Sequence, residues 1–325
     1  GAIDRGKQIH SKVLISIKDS MEKDLVMIGS ALVDMYVKCG LIAIARKVHS
    51  DLPVRNVVTW SILIAGYVQQ GKGHAALNSY EKMRSEGILP DAITFTCILK
   101  ACGSIGASNK GKEIHEEVAL KGLLQKDLVL GTALVDMYAK CGALVKAQKV
   151  FDGLPLRSLS SWNVLISGYV RHELNEEALD CYKRMRAEGI SPNAAIFSCV
   201  LKACGSIRSI EKGEEIHSEI SKRGLLRSSI VLGNSLVDMY IKCECLSEAI
   251  ETFETLPSRN DVSWSVMILG CAQLDRVHLC FDFFNRMVKD DVMATSVTFL
   301  GILKACVILG SLEHGRLIHA QVLES

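Results

Sequence analysis

The phrase SALVDMYVKCG at 30–40 returns as TALVDMYAKCG at 132–142 and as NSLVDMYIKCE at 234–244, a step of 102 residues each time. Other phrases keep that step. Trp60, Trp162 and Trp264 open WSILIAGYV, WNVLISGYV and WSVMILGCA, while Lys100, Lys202 and Lys304 sit in ILKAC, VLKAC and ILKAC. GKEIH at 111, GEEIH at 213 and GRLIH at 315 follow it too, and GKQIH at 6 is displaced by three extra residues. A period on this scale restricts the fold before any single motif is weighed, because a match that recurs with the period is scaffold first.

Each 102-residue block divides into segments of 31, 35 and 36 residues, and each segment holds two apolar-periodic stretches joined by a short break. In the second block these are TALVDMYAKCG with LVKAQKVFDGL, WNVLISGYVRH with NEEALDCYKRMRAEG, and FSCVLKACGSI with EKGEEIHSEISKRG. Apolar residues three to four apart, such as Ala178, Leu179, Tyr182 and Met185, predict helices. Gly40, Gly142 and Gly224 stand where a helix end wants positive φ, although Glu244 takes that place in the third copy. A helical hairpin of this size cannot bury its own apolar face. Neighbours must therefore stack, giving an all-α solenoid of helix-turn-helix repeats.

With 49% hydrophobic residues and only five prolines the chain can build a large helical core, and no break in composition marks a second domain. Its longest apolar runs, such as VLGTALV, fall short of the roughly 20 residues of a membrane span. This reads as a soluble protein. A net charge of +2 imposes no general attraction for nucleic acid, so such a surface would need local placement of Lys and Arg. Twelve cysteines without a signal-peptide pattern point to a reducing compartment. The chain opens mid-phrase and closes inside a repeated unit, which reads as a fragment whose targeting segment lies elsewhere.

Two motifs imitate catalytic signatures. GASNKGKE at 106–113 nearly spells a phosphate loop, but Glu113 stands where the Mg²⁺-binding hydroxyl belongs and a helix precedes it, so a helix-helix turn is expected. HEE at 115–117 and HSE at 217–219 supply the H-x-E half of a zinc deaminase, yet no C-x-x-C follows anywhere in the chain. His10, His115, His217 and His319 are one repeat position, and Cys39, Cys141 and Cys243 are another, as are Cys102, Cys204 and Cys306. Equivalent positions of successive blocks lie far apart along a solenoid, so packing is expected of them. No metal site, cofactor, small-molecule substrate or catalytic residue is expected. The tryptophans, with Phe95, Phe197 and Phe299 at the matching place, are read as core filling rather than as platforms for bases.

Together ALVDMYAKCG, WNVLISGYV and the LKACGS phrase with GKEIH identify a resemblance that covers the whole chain. It resembles a pentatricopeptide repeat protein of the plant PLS subclass, one that lacks, or is cut short before, the E/DYW deaminase extension that ends many members. The resemblance implies a right-handed superhelical solenoid and one continuous array. Its motifs would be a partial L at 1–25, S at 26–56, P at 57–91, L at 92–127, S at 128–158, P at 159–193, L at 194–229, S at 230–260, P at 261–295 and a truncated L at 296–325.

The function it implies is sequence-specific binding of single-stranded RNA, one base per repeat. The site would be recognised for organellar processing, in particular cytidine-to-uridine editing in a mitochondrion or chloroplast. An editing helper protein or a deaminase would arrive in trans. The alternative is a protein-binding helical scaffold that never touches RNA.

By the same resemblance each base is read by the fifth and last residues of a motif. The pairs are Ser30 with Asn56, Ser61 with Asp91, Thr96 with Asp127, Thr132 with Ser158, Asn163 with Asn193, Ser198 with Ser229, Asn234 with Asn260, and Ser265 with Thr295. Leu300 opens the last motif without a hydrogen-bonding group. The family's preferences give 5′-A-G-(G)-n-Y-n-Y-n-3′. Val58, Ile93, Val129, Val231, Val262 and Val297 would sandwich the bases, with Ser160 and Ala195 departing from that pattern, and Lys38, Lys140 and Lys242 would approach phosphates. Each role has a plain rival: Ser, Thr and Asn cap helices, Asn and Asp make turns, and a lysine at a helix end faces the dipole. What favours reading over capping is that ALVDMY is nearly frozen across blocks, only Ser235 departing from it, while the residue before it changes from Ser30 to Thr132 to Asn234.

Overall fold

The computed structural model describes residues 22–310 and 316, with side chains from residue 26 onward. The stretches 1–21, 311–315 and 317–325, with His10, His319 and parts of both terminal motifs, lie outside the described residues. Among the described residues there are 17 α-helices, one short 3₁₀ turn at Leu225–Arg227 and no strand. The chain forms two compact units that divide after Gly168.

The first unit holds α1 (Glu22–Lys38), α2 (Ile42–Asp51), α3 (Val57–Gln69), α4 (Gly73–Ser85), α5 (Ala92–Ile105), α6 (Ser108–Leu120), α7 (Leu128–Lys140), α8 (Leu144–Asp152) and most of α9 (Leu159–Arg171). The second takes the end of α9 and continues through α10 (Asn175–Ala187), α11 (Ala194–Ser206), α12 (Ile210–Lys222), α13 (Ile230–Lys242), α14 (Leu246–Thr255), α15 (Asp261–Gln273), α16 (Val277–Lys289) and α17 (Ser296–Leu309). Odd-numbered helices are the first helices of the expected motifs. From α1 to α8, and again from α11 to α17, each odd helix packs on the even helix after it and on the next odd helix. This is the stacking that a two-helix repeat needs in order to bury its apolar face.

Polar side chains start the odd helices. Asn56, Asp91, Asp127, Asn193, Ser229, Asn260 and Thr295 each accept a hydrogen bond from a first-turn N–H. Even helices begin without a side-chain cap, directly after a tight turn. Gly40, Gly106 and Gly142 adopt φ of 77°, 70° and 74° in those turns, and Glu244 adopts 63° despite its side chain. At Gly106 the left-handed residue ends α5 and α6 begins at Ser108, so the near-phosphate-loop sequence is a helix-helix turn.

Trp60, Trp162 and Trp264 are buried, as are Phe95, Phe151, Phe197 and Phe253, while Phe299 is half-buried. Ala178, Leu179 and Met185 are buried on one face of α10. No helix among the described residues is long and apolar enough to cross a membrane.

Candidate nucleic-acid interface

The fifth residue of a motif is not at a helix start. Thr96 and Thr132 lie one turn and Ser30 two turns inside their helices, and they donate to the carbonyls of Ala92, Leu128 and Val26 at 2.7–2.8 Å. The capping rival therefore fails for the fifth residue and holds for the last. Yet capping leaves something over. In Asp91 the cap occupies Oδ1, which accepts from Thr94 N at 2.8 Å, and Oδ2 remains. In Asn56 the cap occupies Oδ1 at 3.0 Å from Thr59 N, and the Nδ2 donor remains. One side chain can start a helix and still present a group to a ligand.

Two expected pairs hydrogen-bond directly across 26 and 30 residues of chain, and a third is joined through one intervening side chain. Ser61 Oγ lies 2.6 Å from Thr94 Oγ1, which donates to Asp91 Oδ1 at 2.7 Å. Asn234 Nδ2 donates to Asn260 Oδ1 at 3.4 Å. Ser265 Oγ lies 3.1 Å from Thr295 Oγ1 and 2.8 Å from Thr298 Oγ1. Thr132 and Ser158 do not touch, but both line a cavity of about 430 Å³ with Val129, Lys100 and Asp136. Ser30 and Asn56, Thr96 and Asp127, and Ser198 and Ser229 share no direct hydrogen bond. Asn163 belongs to the first unit and Asn193, which caps α11, to the second.

Asn234 is 8% exposed and its Oδ1 is buried with no hydrogen-bond partner; Asn163 Oδ1 is in the same condition. A buried acceptor left unpaired costs on the order of 1–3 kcal/mol. These are the two fifth-position asparagines. Flanking the pairs are the six expected sandwiching residues, all exposed: 48% for Val58, 64% for Ile93, 65% for Val129, 64% for Val231, 48% for Val262 and 42% for Val297. Aliphatic groups at a fixed register on the first turn of successive helices, facing solvent, contribute nothing to the core. Ser160 and Ala195, which break the pattern, are exposed as well.

The lysines sort into two groups. Lys38, Lys140 and Lys242 each hold the aspartate one turn earlier, Asp34, Asp136 and Asp238, at 2.7 Å. Two of their stems also fill a packing role: a Cβ on Gly103 would sit 3.2 Å from Lys140 Cδ, and one on Gly205 would sit 3.1 Å from Lys242 Cδ. Lys100 and Lys202 are exposed and hold no ion pair among the described residues. Lys202 lines a second cavity, of about 640 Å³, with Arg171, Arg208, Lys242 and Glu244, where Arg208 is spent on Glu244. The sequence reading singled out Lys38, Lys140 and Lys242 and passed over Lys100 and Lys202, although LKAC repeats at the same step as LVDMY.

The groups that imitate catalytic residues are packed. His115 Nδ1 lies 3.0 Å from Tyr138 OH and His217 Nδ1 lies 2.7 Å from Tyr240 OH, and burial holds both imidazoles below their ordinary pKa. Burial also pushes the Cys102 and Cys204 thiols up to about 12, which keeps them protonated at neutral pH. Among the described residues no three His, Cys, Asp or Glu side chains come together to hold a metal ion.

Family models of the PPR repeat match residues 55–104, 132–157, 157–206, 234–260 and 262–292. The chain belongs to the pentatricopeptide repeat family. A chloroplastic pentatricopeptide repeat-containing protein of Arabidopsis thaliana is 37% identical over 305 residues, 94% of this chain and 48% of its own length. A mitochondrial one from the same plant is 36% identical over 321 residues, 98% of this chain and 31% of its own length. The chain thus spans half or less of these relatives. The crystal structure of the pentatricopeptide repeat protein PPR10 in complex with an 18-nt psaJ RNA element matches 98% of this chain and 47% of that one, at 17% identity and a TM-score of 0.80. PPR10 from maize matches at 0.72. At that identity the likeness is one of fold: an all-α superhelix of helical repeats.

Proposed function

We propose that this pentatricopeptide repeat chain binds single-stranded RNA in a sequence-specific manner, one nucleotide per motif. The observation that carries the reading is convergence. Fifth and last residues far apart in sequence meet directly at Asn234 with Asn260 and Ser265 with Thr295 and through Thr94 at Ser61 with Asp91, each beside an exposed aliphatic side chain. Small polar groups that read an edge, next to apolar groups that cover a face, are what a splayed-out base requires. PPR10, whose fold is alike, is bound to an RNA element in its crystal structure. The alternation of 31-, 35- and 36-residue motifs supports a PLS array. Such an array would act as a site-recognition factor for cytidine-to-uridine editing in a plant organelle, with the deaminase carried on a further domain or supplied in trans.

The test is binding to a panel of short RNAs built on 5′-A-G-G-n-Y-n-Y-n-3′ at stated salt. Asn234→Ser combined with Asn260→Asp is expected to move preference at the last specified nucleotide, the second Y, from pyrimidine to guanine. Preference that stays put removes the assigned register, and capture of a partner protein without any RNA binding favours the scaffold alternative.

Lys100 gives a second prediction. As an unpaired cation beside the Thr132–Ser158 cavity it is assigned to a phosphate. Lys100→Gln should weaken all RNAs of the panel alike and lower the slope of log affinity against log salt by about 0.7. An unchanged slope takes Lys100 off the phosphate path.

A further inference from the structure

We infer that Thr94 is a third specificity-determining residue for the nucleotide read by Ser61 and Asp91, because it fixes the direction of the Ser61 hydroxyl proton. The inference rests on the RNA reading above and deepens it. It follows from counting hydrogens. A hydroxyl carries one donor hydrogen, and a carboxylate only accepts. Thr94 Oγ1 spends its hydrogen on Asp91 Oδ1 at 2.7 Å. In the 2.6 Å contact between Ser61 and Thr94 the donor must then be Ser61. Ser61 and Thr94 are 6% and 0% exposed, so water does not compete for these hydrogens.

What this motif presents outward is two acceptors, the remaining lone pair of Ser61 Oγ and Asp91 Oδ2. Guanine offers two adjacent donors on its Watson–Crick edge, N1–H and the N2 amine. Adenine places an acceptor, N1, between its amine and C2–H, and an acceptor cannot face an acceptor without loss. Were Ser61 free to turn its proton outward it would meet adenine N1 as well. Thr94 prevents that.

A natural contrast stands in the second unit. Ser265 meets Thr298 at 2.8 Å and Thr295 at 3.1 Å, and Thr295 meets Thr298 at 3.1 Å. Here three hydroxyls form the set, Thr295 taking the place of Asp91. With no carboxylate to claim the Thr298 hydrogen the bonds run in either direction. Ser265 can donate or accept, and this motif is assigned no discrimination between guanine and adenine.

The experiment measures, by fluorescence anisotropy on the full chain, affinity for RNAs that differ only at the nucleotide facing one motif. Thr94→Val is expected to reduce guanine-over-adenine preference at the second nucleotide about tenfold while preferences elsewhere hold, and Thr94→Ser to retain it. In the second unit Thr295→Asp is expected to install guanine preference, and Thr295→Asp with Thr298→Val to lack it. The second pair decides the matter should Thr94→Val fail to fold. A Thr94→Val or doubly substituted protein that still binds with full guanine preference overturns this inference alone. Wild-type protein that binds none of the RNAs overturns the RNA reading and this inference with it.

Discussion

Trp264→Ala is expected to destabilise the protein by about 3–5 kcal/mol. The indole is 1% exposed, with its ring 4.9 Å from Phe253 and 6.4 Å from Phe283, centroid to centroid, and the Arg286 guanidinium 5.6 Å above it. Its Nε1 is buried without a hydrogen-bond partner, so the contribution is apolar burial and ring packing, and Trp264→Phe should retain most of it. Phe253 lies on α14 and Phe283 on α16, which places the cavity left by alanine at the seam between two repeats. In a repeat array that seam is where stability resides. Ser265 is the next residue, so RNA contact at this motif should weaken together with the fold. Urea denaturation of wild type and both variants checks the prediction. A loss below 1 kcal/mol for alanine would mean that the seam closes over the gap.

The helices, their order and the stacking were legible because ALVDMY, WNVLISGY and LKAC carry helix-period apolar residues at a fixed step. The positions of the base readers were legible only through the family resemblance, since a Ser or Asn on a helix has many uses. What sequence could not supply is the third partner. Thr94 lies 33 residues from Ser61 and reads as one more residue of a helix cap, which it also is. Nor could it divide the lysines correctly. The spacing Asp34 to Lys38 shows an ion pair by itself, but that the Lys140 stem crosses Gly103 depends on how closely α5 and α7 approach. Lys100, equally periodic, has no acid one turn away on its own helix, and the Asp136 that shares its cavity is held by Lys140.

His49 marks a place where one copy of the repeat departs from the others, with a pH dependence to match. Phe151 and Phe253 hold the equivalent position, each set edge-on to a tryptophan, and His49 does the same against Trp60 with centroids 4.3 Å apart. Burial, with the charge of Arg55 as a smaller cause, lowers its pKa to about 4 from an ordinary 6.5, and its Nε2 is buried without a partner. The folded protein therefore refuses a proton that the unfolded chain accepts. Stability is fully present above pH 6.5 and is lost as pH falls toward 4, by about 3 kcal/mol across that window. His115 and His217, also lowered by burial, add to the loss with the same sign. His49→Phe should remove only the His49 share, so that the gap in stability between pH 7 and pH 4.5 narrows by about 2–3 kcal/mol. Trp60 is followed by Ser61, so the same substitution should preserve guanine preference at that nucleotide to lower pH. Thermal melts at the two pH values check it, and a gap as wide in His49→Phe as in wild type would assign the acid sensitivity to other groups.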